Sequence, residues 1–375
     1  MSKKNKILLN GPINTIRLEG LVNGSKKVIY IFGDIHRDLN NQTECDNLNA
    51  EDINKYLYKF IKEYNGDEYY DIFIEANKEY IKKKRPKESY KIKYKYINQL
   101  RKLINILNIS PNNKKIIINN KFKKFRFHYT DVRYLTENEP KVDNYEVSDY
   151  LYHNLPHKIY NIPFYIEKSD VSNIISDYVK ILSILKNTQK EIKNNTKIVN
   201  KLKNDYKNRI IKNTLNDIFD NLSKFLDNII LEIEKYKYDL NERNNSKKKL
   251  TDKDRFNIIT KYSHYQIIIK NFYASIHDLY FLRRVLDKSY TKRNILYTGL
   301  FHMIHIIIVL VKKFNFKITH VSYSKKSISF LNKSIIKENY SIDKFISSNI
   351  IHKYYDFLDS KYQCSDITDF PDNFT

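Results

Sequence analysis

The sequence predicts an α/β protein with a mainly parallel sheet flanked by helices and interrupted by a long all-helical insertion. Short apolar runs rich in β-branched and aromatic residues alternate with helical apolar spacing at both ends of the chain, which is typical of parallel α/β folds. Between 170 and 245 glycine and proline are absent and apolar residues recur every three to five positions, which indicates helices. We therefore expect an α/β core of residues 1–150 and 291–375 around a helical insertion, 151–290.

The amino-terminal part predicts strand and helix in alternation. "VIYIF" is continuously apolar, as expected of a strand buried on both faces of a sheet, and the next segment has helical spacing, acidic residues at its start and Gly66 at its end. In order, we expect a strand at 28–32, a helix within 49–66, a strand at 71–76, a basic helix after Pro86, and strands at 115–119 and 125–133.

The later part predicts the completion of the sheet. The polar stretch "NERNNSKKKLTDKD" separates the insertion into helical segments, and the α/β pattern resumes near residue 294. In order, we expect helices over 170–245 and about 253–288, a strand at 294–299, a helix at 300–314, a strand at 317–324, and an acidic, loosely held tail at 364–375.

Polar side chains follow four of the predicted strands. Because the carboxyl ends of parallel strands meet at one edge of a sheet, these side chains are expected to converge there. The set is Asp34 and His36 after the first strand, Glu75 after the second, Asp131 and Arg133 after "FRFHYT", and His302 after "LYTG".

Two glycines strengthen this site hypothesis. Gly33 and Gly299 are two of only six glycines, each stands where an apolar strand must turn, and each is followed three residues later by a histidine. These residues could instead have purely structural roles. Asp34 or His36 could cap a helix, and Glu75 could form an ion pair with Arg133.

The paired histidines of the predicted helix 300–314 have two interpretations. His302 and His305 lie one helical turn apart on one face, so they could be a metal pair or two hydrogen-bonded core histidines. We favour a site role for His302 and a structural role for His305.

The net charge of +24 invites a nucleic-acid interpretation, but the kind of charge weakens it. Of the 67 basic residues only 12 are arginine, and the abundance of Lys, Asn, Ile and Tyr is typical of an AT-rich genome. This pattern favours a solvated lysine surface over a dedicated nucleic-acid face. Weak nonspecific binding to polyanions is expected in either case, and the helical insertion could hold a protein partner.

The cysteines and the apolar segments indicate in which cellular compartment the protein is expected and whether it crosses a membrane. Cys45 and Cys364 suggest neither a disulfide framework nor a thiolate metal site, which fits a reducing, intracellular compartment. The first 20 residues have no apolar run suited to a signal peptide. The apolar stretch 295–311 is short for a span and contains two histidines, so no membrane span is expected.

Three family resemblances follow from the motifs. "FGDIH" resembles the first motif of calcineurin-like phosphoesterases, but the Gly-Asp-x-x-Asp and Gly-Asn-His motifs of that family are missing. "YIFGDIH", "DIFIEA" and "LYTGLFH" are more similar to the erythromycin esterase, ChaN-like and TIKI/TraB group, with Asp34 in place of the usual glutamate. Together with "HYTDVRYL" and "IHDLYFLRRVL", they also resemble a set of uncharacterised proteins of giant DNA viruses, which implies a place in the host cytoplasm, virus factory or virion.

Two hypotheses of function follow. In the first, the chain is a hydrolase-like protein acting on an ester, amide or similar bond. His36 is then general base or metal ligand oriented by Asp34, Glu75 activates water or binds metal, and His302 completes the site. Asp131 and Arg133 would position these groups.

A metal is optional in that hypothesis. If one is present, His36, Glu75 and His302 are its candidate ligands, and such a set suits Mn²⁺, Zn²⁺ or Fe²⁺. In the second hypothesis the chain is a non-catalytic virion or virus-factory protein that binds a partner or nucleic acid through its basic helical surface.

Overall fold

The computed structural model describes most of the chain, in two compact units. The described residues are 6–37, 39–75, 95–106, 110–112, 115–117, 122–130, 132, 168–246, 250–347 and 349–375. The first unit comprises residues 1–131, 277–340 and 350–375, and the second comprises 132–276 and 341–349.

The elements of the described residues alternate as expected at both ends of the chain. The strands are β1 (Leu8–Asn10), β2 (Asn14–Val22), β3 (Ser25–Asp34), β4 (Glu51–Asp52), β5 (Tyr70–Ile74), β6 (Ser110–Asn112), β7 (Lys115–Ile117), β8 (Phe125–Tyr129), β9 (Arg293–Gly299), β10 (Lys317–Val321) and β11 (Cys364–Asp366). The helices are α1 (Ile53–Glu63), α2 (Lys95–Ile106), α3 (Lys168–Lys193), α4 (Lys197–Asn204), α5 (Arg209–Asn245), α6 (Asp252–Asp287), α7 (Leu300–Phe314), α8 (Ile328–Lys337), α9 (Ile342–Ile346) and α10 (Asn349–Leu358).

The main sheet has the strand order β10-β2-β3-β9-β5-β8. β3, β9, β5 and β8 pair in parallel, whereas β2 is antiparallel to both β3 and β10. The prediction of an α/β class is confirmed, but the expectation of a mainly parallel sheet is wrong because the sheet is mixed. The antiparallel strand arises from a tight hairpin at Asn23 and Gly24, whose φ values of 50° and 73° are those of an Asn-Gly turn.

The core of the first unit lies on this sheet. β3 and β5 are apolar and buried, as the continuous runs predicted, and α1 packs its buried residues Ile53, Leu57 and Ile61 into the same cluster. The strand expected at 115–119 forms β7, which pairs with β6 in a separate two-stranded sheet. The remaining strands expected from the sequence, at β8, β9 and β10, belong to the main sheet.

The carboxyl-terminal segment is packed into the first unit. β11 pairs antiparallel with β1, and Phe370 and Phe374 are 5% and 4% exposed. The ring of Phe374 lies edge-on against Tyr30 and Phe60, with centroids 5.0 and 4.8 Å away. The expectation of a loosely held tail at 364–375 does not agree with this packing, because its aromatic residues contribute to the core.

A disulfide joins Cys45 to Cys364 across 319 residues of sequence. The cysteines were expected to form no disulfide framework, and this bond contradicts the basis for a reducing compartment. Composition alone could not reveal the pair, since nothing local in the sequence shows that the segment after β3 meets the carboxyl-terminal segment.

The second unit is helical in its described part, as the glycine- and proline-free composition predicted. It contains α3, α4, α5, the first 25 residues of α6 and the short α9, and its buried residues are mainly Ile, Leu and Tyr. From the sequence, the helical insertion was expected to span residues 151–290. Within the residues that the structure describes, no helix combines the length and apolarity needed to cross a membrane.

Candidate active site

The strand ends of the main sheet bring the first site residues together. β9 lies between β3 and β5, with Gly299 opposite Asp34 and Tyr297 opposite Ile74. The residue after Ile74 is Glu75, whose amide donates to the Tyr297 carbonyl at 3.1 Å. The carboxyl ends of all three strands therefore open on one edge of the sheet, as parallel pairing requires.

His36 is folded back onto Asp34. Its φ of 48° is in the left-handed region, and this turn lets the His36 amide donate to Asp34 Oδ1 at 3.1 Å. The ring follows the backbone, and Nδ1 lies 3.2 Å from Asp34 Oδ2. Asp34 thus orients the imidazole from one side and leaves Nε2 facing away from it.

Asp34 is itself held by two further donors. The Tyr297 hydroxyl donates to Oδ2 at 2.8 Å, and the Gln363 side-chain amide donates to Oδ1 at 3.1 Å. Asp34 is only 2% exposed, so these bonds replace the water that a buried carboxylate loses. Gln363 belongs to the segment just before Cys364, which gives the carboxyl-terminal part of the chain a direct role in the site.

Glu75 lies at the centre of the site. Its Oε2 accepts from the Gly299 amide at 2.9 Å and the Thr298 hydroxyl at 3.1 Å, and it lies 3.2 Å from His36 Nε2. The guanidinium of Arg101 donates to the Glu75 main-chain carbonyl at 3.0 and 2.8 Å, and these two bonds hold the backbone of Glu75 in place. The carboxylate is therefore buried, oriented and supplied with donors.

His302 approaches Glu75 from the other side. It lies in the first turn of α7, and its Nε2 is 3.9 Å from Glu75 Oε1. Its Nδ1 lies 2.7 Å from Asp278 Oδ1, while Asp278 Oδ2 lies 2.6 Å from His305 Nδ1. Glu75 is thus flanked by two histidines, and each has an aspartate at its other ring nitrogen.

Little space surrounds the Cβ positions of Gly33 and Gly299. A Cβ on Gly299 would lie 3.3 Å from His36 Nε2, which is tight, and 3.5 Å from His302 Cδ2, which is an ordinary contact distance. A Cβ on Gly33 would lie 2.9 Å from Met303 Sδ, where α7 crosses the strand. A side chain at either position would therefore need a neighbouring side chain to move, and Gly33 lies within β3, opposite Thr298, rather than at a turn.

Charges in the site stabilise one another. Burial acts to raise the pKa of Glu75, but the neighbouring His36 and His302 outweigh it and hold that pKa well below the ordinary value. Burial acts to lower the pKa of His36, but the carboxylates of Glu75 and Asp34 raise it to about 10. At neutral pH His36 is accordingly charged beside an ionised Glu75.

The pKa of Asp278 is also set by burial on one side and neighbouring histidines on the other. Burial acts to raise its pKa, and the adjacent His302 and His305 outweigh it and lower that pKa. His305 is fully buried and its Nε2 lies 3.2 Å from the Tyr340 hydroxyl, so it supports Asp278 as a structural residue.

The structure brings together Asp34, His36, Glu75 and His302 of the residues expected in the site. Asp131 and Arg133 lie outside the described residues. His128, which precedes them, has its Nε2 2.7 Å from Asp71 Oδ1. Sequence reasoning missed Asp278 and Gln363; the first was present in "IHDLYFLRRVL", but one acidic residue on a helix gives no sign of the partner it will meet.

Comparison with known proteins places the chain in a family. A family described as "Family of unknown function (DUF5847)" matches residues 7–375, so the chain belongs to it. "Uncharacterized protein R706" of Acanthamoeba polyphaga mimivirus is 31% identical over 100% of both chains. "Uncharacterized protein R161" of the same virus is 29% identical over 99% of both chains. No solved structure matches.

These relatives agree with the resemblance to giant-virus proteins. The similarity extends over both units, including the helical one. None of the relatives described above is an erythromycin esterase, ChaN-like or TIKI/TraB protein.

Proposed function

We propose that this member of the DUF5847 family is a hydrolase-like enzyme acting on an ester, amide or similar bond. The observation that carries the proposal is the position of Glu75 between two imidazoles, with His36 Nε2 at 3.2 Å and His302 Nε2 at 3.9 Å. Each imidazole is oriented at Nδ1 by a buried aspartate, the arrangement by which enzymes fix a histidine for proton transfer.

The site also has access to solvent where the chemistry requires it. The side chains of His36 and His302 are 27% and 12% exposed, while Glu75 is 7% exposed and Asp278 is fully buried. The imidazoles are thus partly exposed, whereas the carboxylates beside them are buried. A substrate bond placed against the two imidazoles would meet both histidines, and the aspartates would remain shielded from water.

Roles follow from charge. Charged His36 donates a proton to the leaving oxygen or nitrogen, while the attacking water is held between Glu75 and His302 and gives its proton to Glu75 Oε1. The water oxygen forms the new bond to the carbonyl carbon as the bond to the leaving group breaks. The products are a carboxylic acid and an alcohol or amine, and no other reactant is needed.

The proposal is tested by hydrolysis of nitrophenyl esters and anilides of varied acyl length. We expect turnover by the wild-type chain and a loss of about 100-fold or more in kcat for His36→Ala, His302→Ala and Glu75→Gln. His352→Ala, which removes an exposed histidine, is the matched control and retains full activity. Equal rates in all four variants, with folding checked by circular dichroism, would exclude this site.

The net charge of +24 supports a second candidate, a non-catalytic protein that binds a partner or polyanion through its basic helical surface. A salt-dependent gel shift with nucleic acid that is lost on removing 170–245 and is indifferent to His36→Ala, in a chain without turnover, would favour it.

A further inference from the structure

A second group of histidine and carboxylate donors lies beside Glu75. His277 and Asp278 belong to the last third of α6, and His302 belongs to the first turn of α7. One donor atom from each residue lies within 4.8 Å of the other two. We propose that His277, Asp278 and His302 form a binding site for a divalent transition-metal ion.

The three donor atoms lie within 4.8 Å of one another, and an ion would draw the more distant of them closer. Zn²⁺ holds imidazole nitrogen and carboxylate oxygen at about 2.0–2.2 Å, so tetrahedral ligands lie about 3.3 Å apart. Asp278 Oδ1 and His302 Nδ1 are 2.7 Å apart, and the His277 and His302 rings lie 4.3 Å apart at 69°. If an ion replaced the proton between Asp278 Oδ1 and His302 Nδ1, these two atoms would have to move apart by about 0.6 Å.

The surroundings hold the donors in place. Asp278 Oδ2 is bonded to His305, which in turn reaches Tyr340, so the carboxylate is oriented from outside the cluster. His277 and Asp278 are 2% and 0% exposed. A cation compensates a carboxylate so deeply buried, and the donor set fixes which cations fit.

The donor chemistry selects among ions. Two imidazoles and a carboxylate without thiolates suit Zn²⁺, Co²⁺, Fe²⁺ or Mn²⁺. An ion on the Nδ1 side of His302 would hold the ring with its Nε2 turned toward Glu75 Oε1, 3.9 Å away. It would thereby fix the orientation of His302 in the proposed hydrolase, and in that respect the inference rests on the proposed function.

The assignment differs from the ligands expected from sequence. Those were His36, Glu75 and His302, whereas the converging group of described residues contains His277 and Asp278 with His302. His36 is not part of that group, and its two ring nitrogens each lie 3.2 Å from a carboxylate oxygen, of Asp34 and of Glu75.

The test is a metal titration of the full chain after removal of metal with a chelator. Co²⁺ is followed by its visible absorption and Zn²⁺ by calorimetry. We expect one ion per chain for wild type, His36→Ala and His352→Ala, and affinity at least about tenfold weaker for His277→Ala and Asp278→Asn. His277→Gln, a milder change, serves if His277→Ala fails to fold.

Two outcomes overturn the inference: a wild-type chain that takes up no stoichiometric ion, or folded His277 variants that bind as tightly as wild type. Because no substrate is involved, the outcome is separate from the proposed function. Binding of one ion by a chain that hydrolyses nothing contradicts only the hydrolase, and hydrolysis by a wild-type chain that takes up no ion in the titration contradicts only the metal site.

Discussion

At the scale of single residues, Gly299 connects the fold to the chemistry. It ends β9, its amide donates to Glu75, and any Cβ would press on His36 Nε2 at 3.3 Å. We predict that Gly299→Ala keeps the fold but moves the His36 imidazole and lowers turnover by up to about 100-fold, since catalytic groups tolerate little displacement. Histidine resonances in NMR spectra report the movement directly.

The control for this change is Gly24→Asn. Gly24 has open space around its Cβ position, and asparagine tolerates its φ of 73°. That variant is expected to leave the His36 resonances in place. If Gly299→Ala also leaves them unchanged, the crowding around Gly299 is not what positions His36.

The sequence predicted much of the site at this scale and missed part of it for a physical reason. Apolar strand runs directly precede Gly33, Asp34, His36 and Glu75. Residues at the carboxyl ends of parallel strands are expected at one edge of the sheet, so their meeting could be predicted. Asp278 and Gln363 act from a helix and an irregular segment, where neighbouring residues carry no sign of long-range contacts. Gln363 reaches Asp34 across 329 residues of sequence.

At the scale of elements, the carboxyl-terminal segment is part of the core. Phe374 packs among Tyr30, Phe60 and Phe32. We predict that Phe374→Ala lowers the free energy of unfolding by about 3–5 kcal/mol, because it removes a buried ring. Tyr362→Ala, which truncates a side chain that is 61% exposed, is the control and is expected to change stability little. Urea unfolding measures both, and equal stability of the two variants would mean that the segment is not packed.

Elements with a strong local pattern were predicted well. β3, β5 and β9 contain the apolar runs 28–32, 72–74 and 295–297, and α1 and α7 carry apolar residues at helical spacing. β2 was missed although Asn23-Gly24 marks its hairpin, and this omission led to the expectation of a mainly parallel sheet. The short strand β11 depends on pairing with β1, which its three residues cannot reveal.

At the scale of the whole molecule, the central claim is that distant segments form one site. Residues 34–36, 75, 278 and 299–302 meet at the edge of the first unit, although more than 200 residues separate Glu75 from Asp278 in sequence. None of these residues is a lysine.

The pKa of His36 tests that convergence most directly, by an NMR titration of the metal-free chain. The account predicts that the His36 imidazolium persists until about pH 10 in wild type and loses its proton at lower pH in Glu75→Gln. Its stabilising effect is full below the ordinary value of about 6.5 and is lost as pH rises through about 10. A His36 that titrates near 6.5 in both proteins would show that Glu75 and Asp34 do not flank it, and would contradict the account.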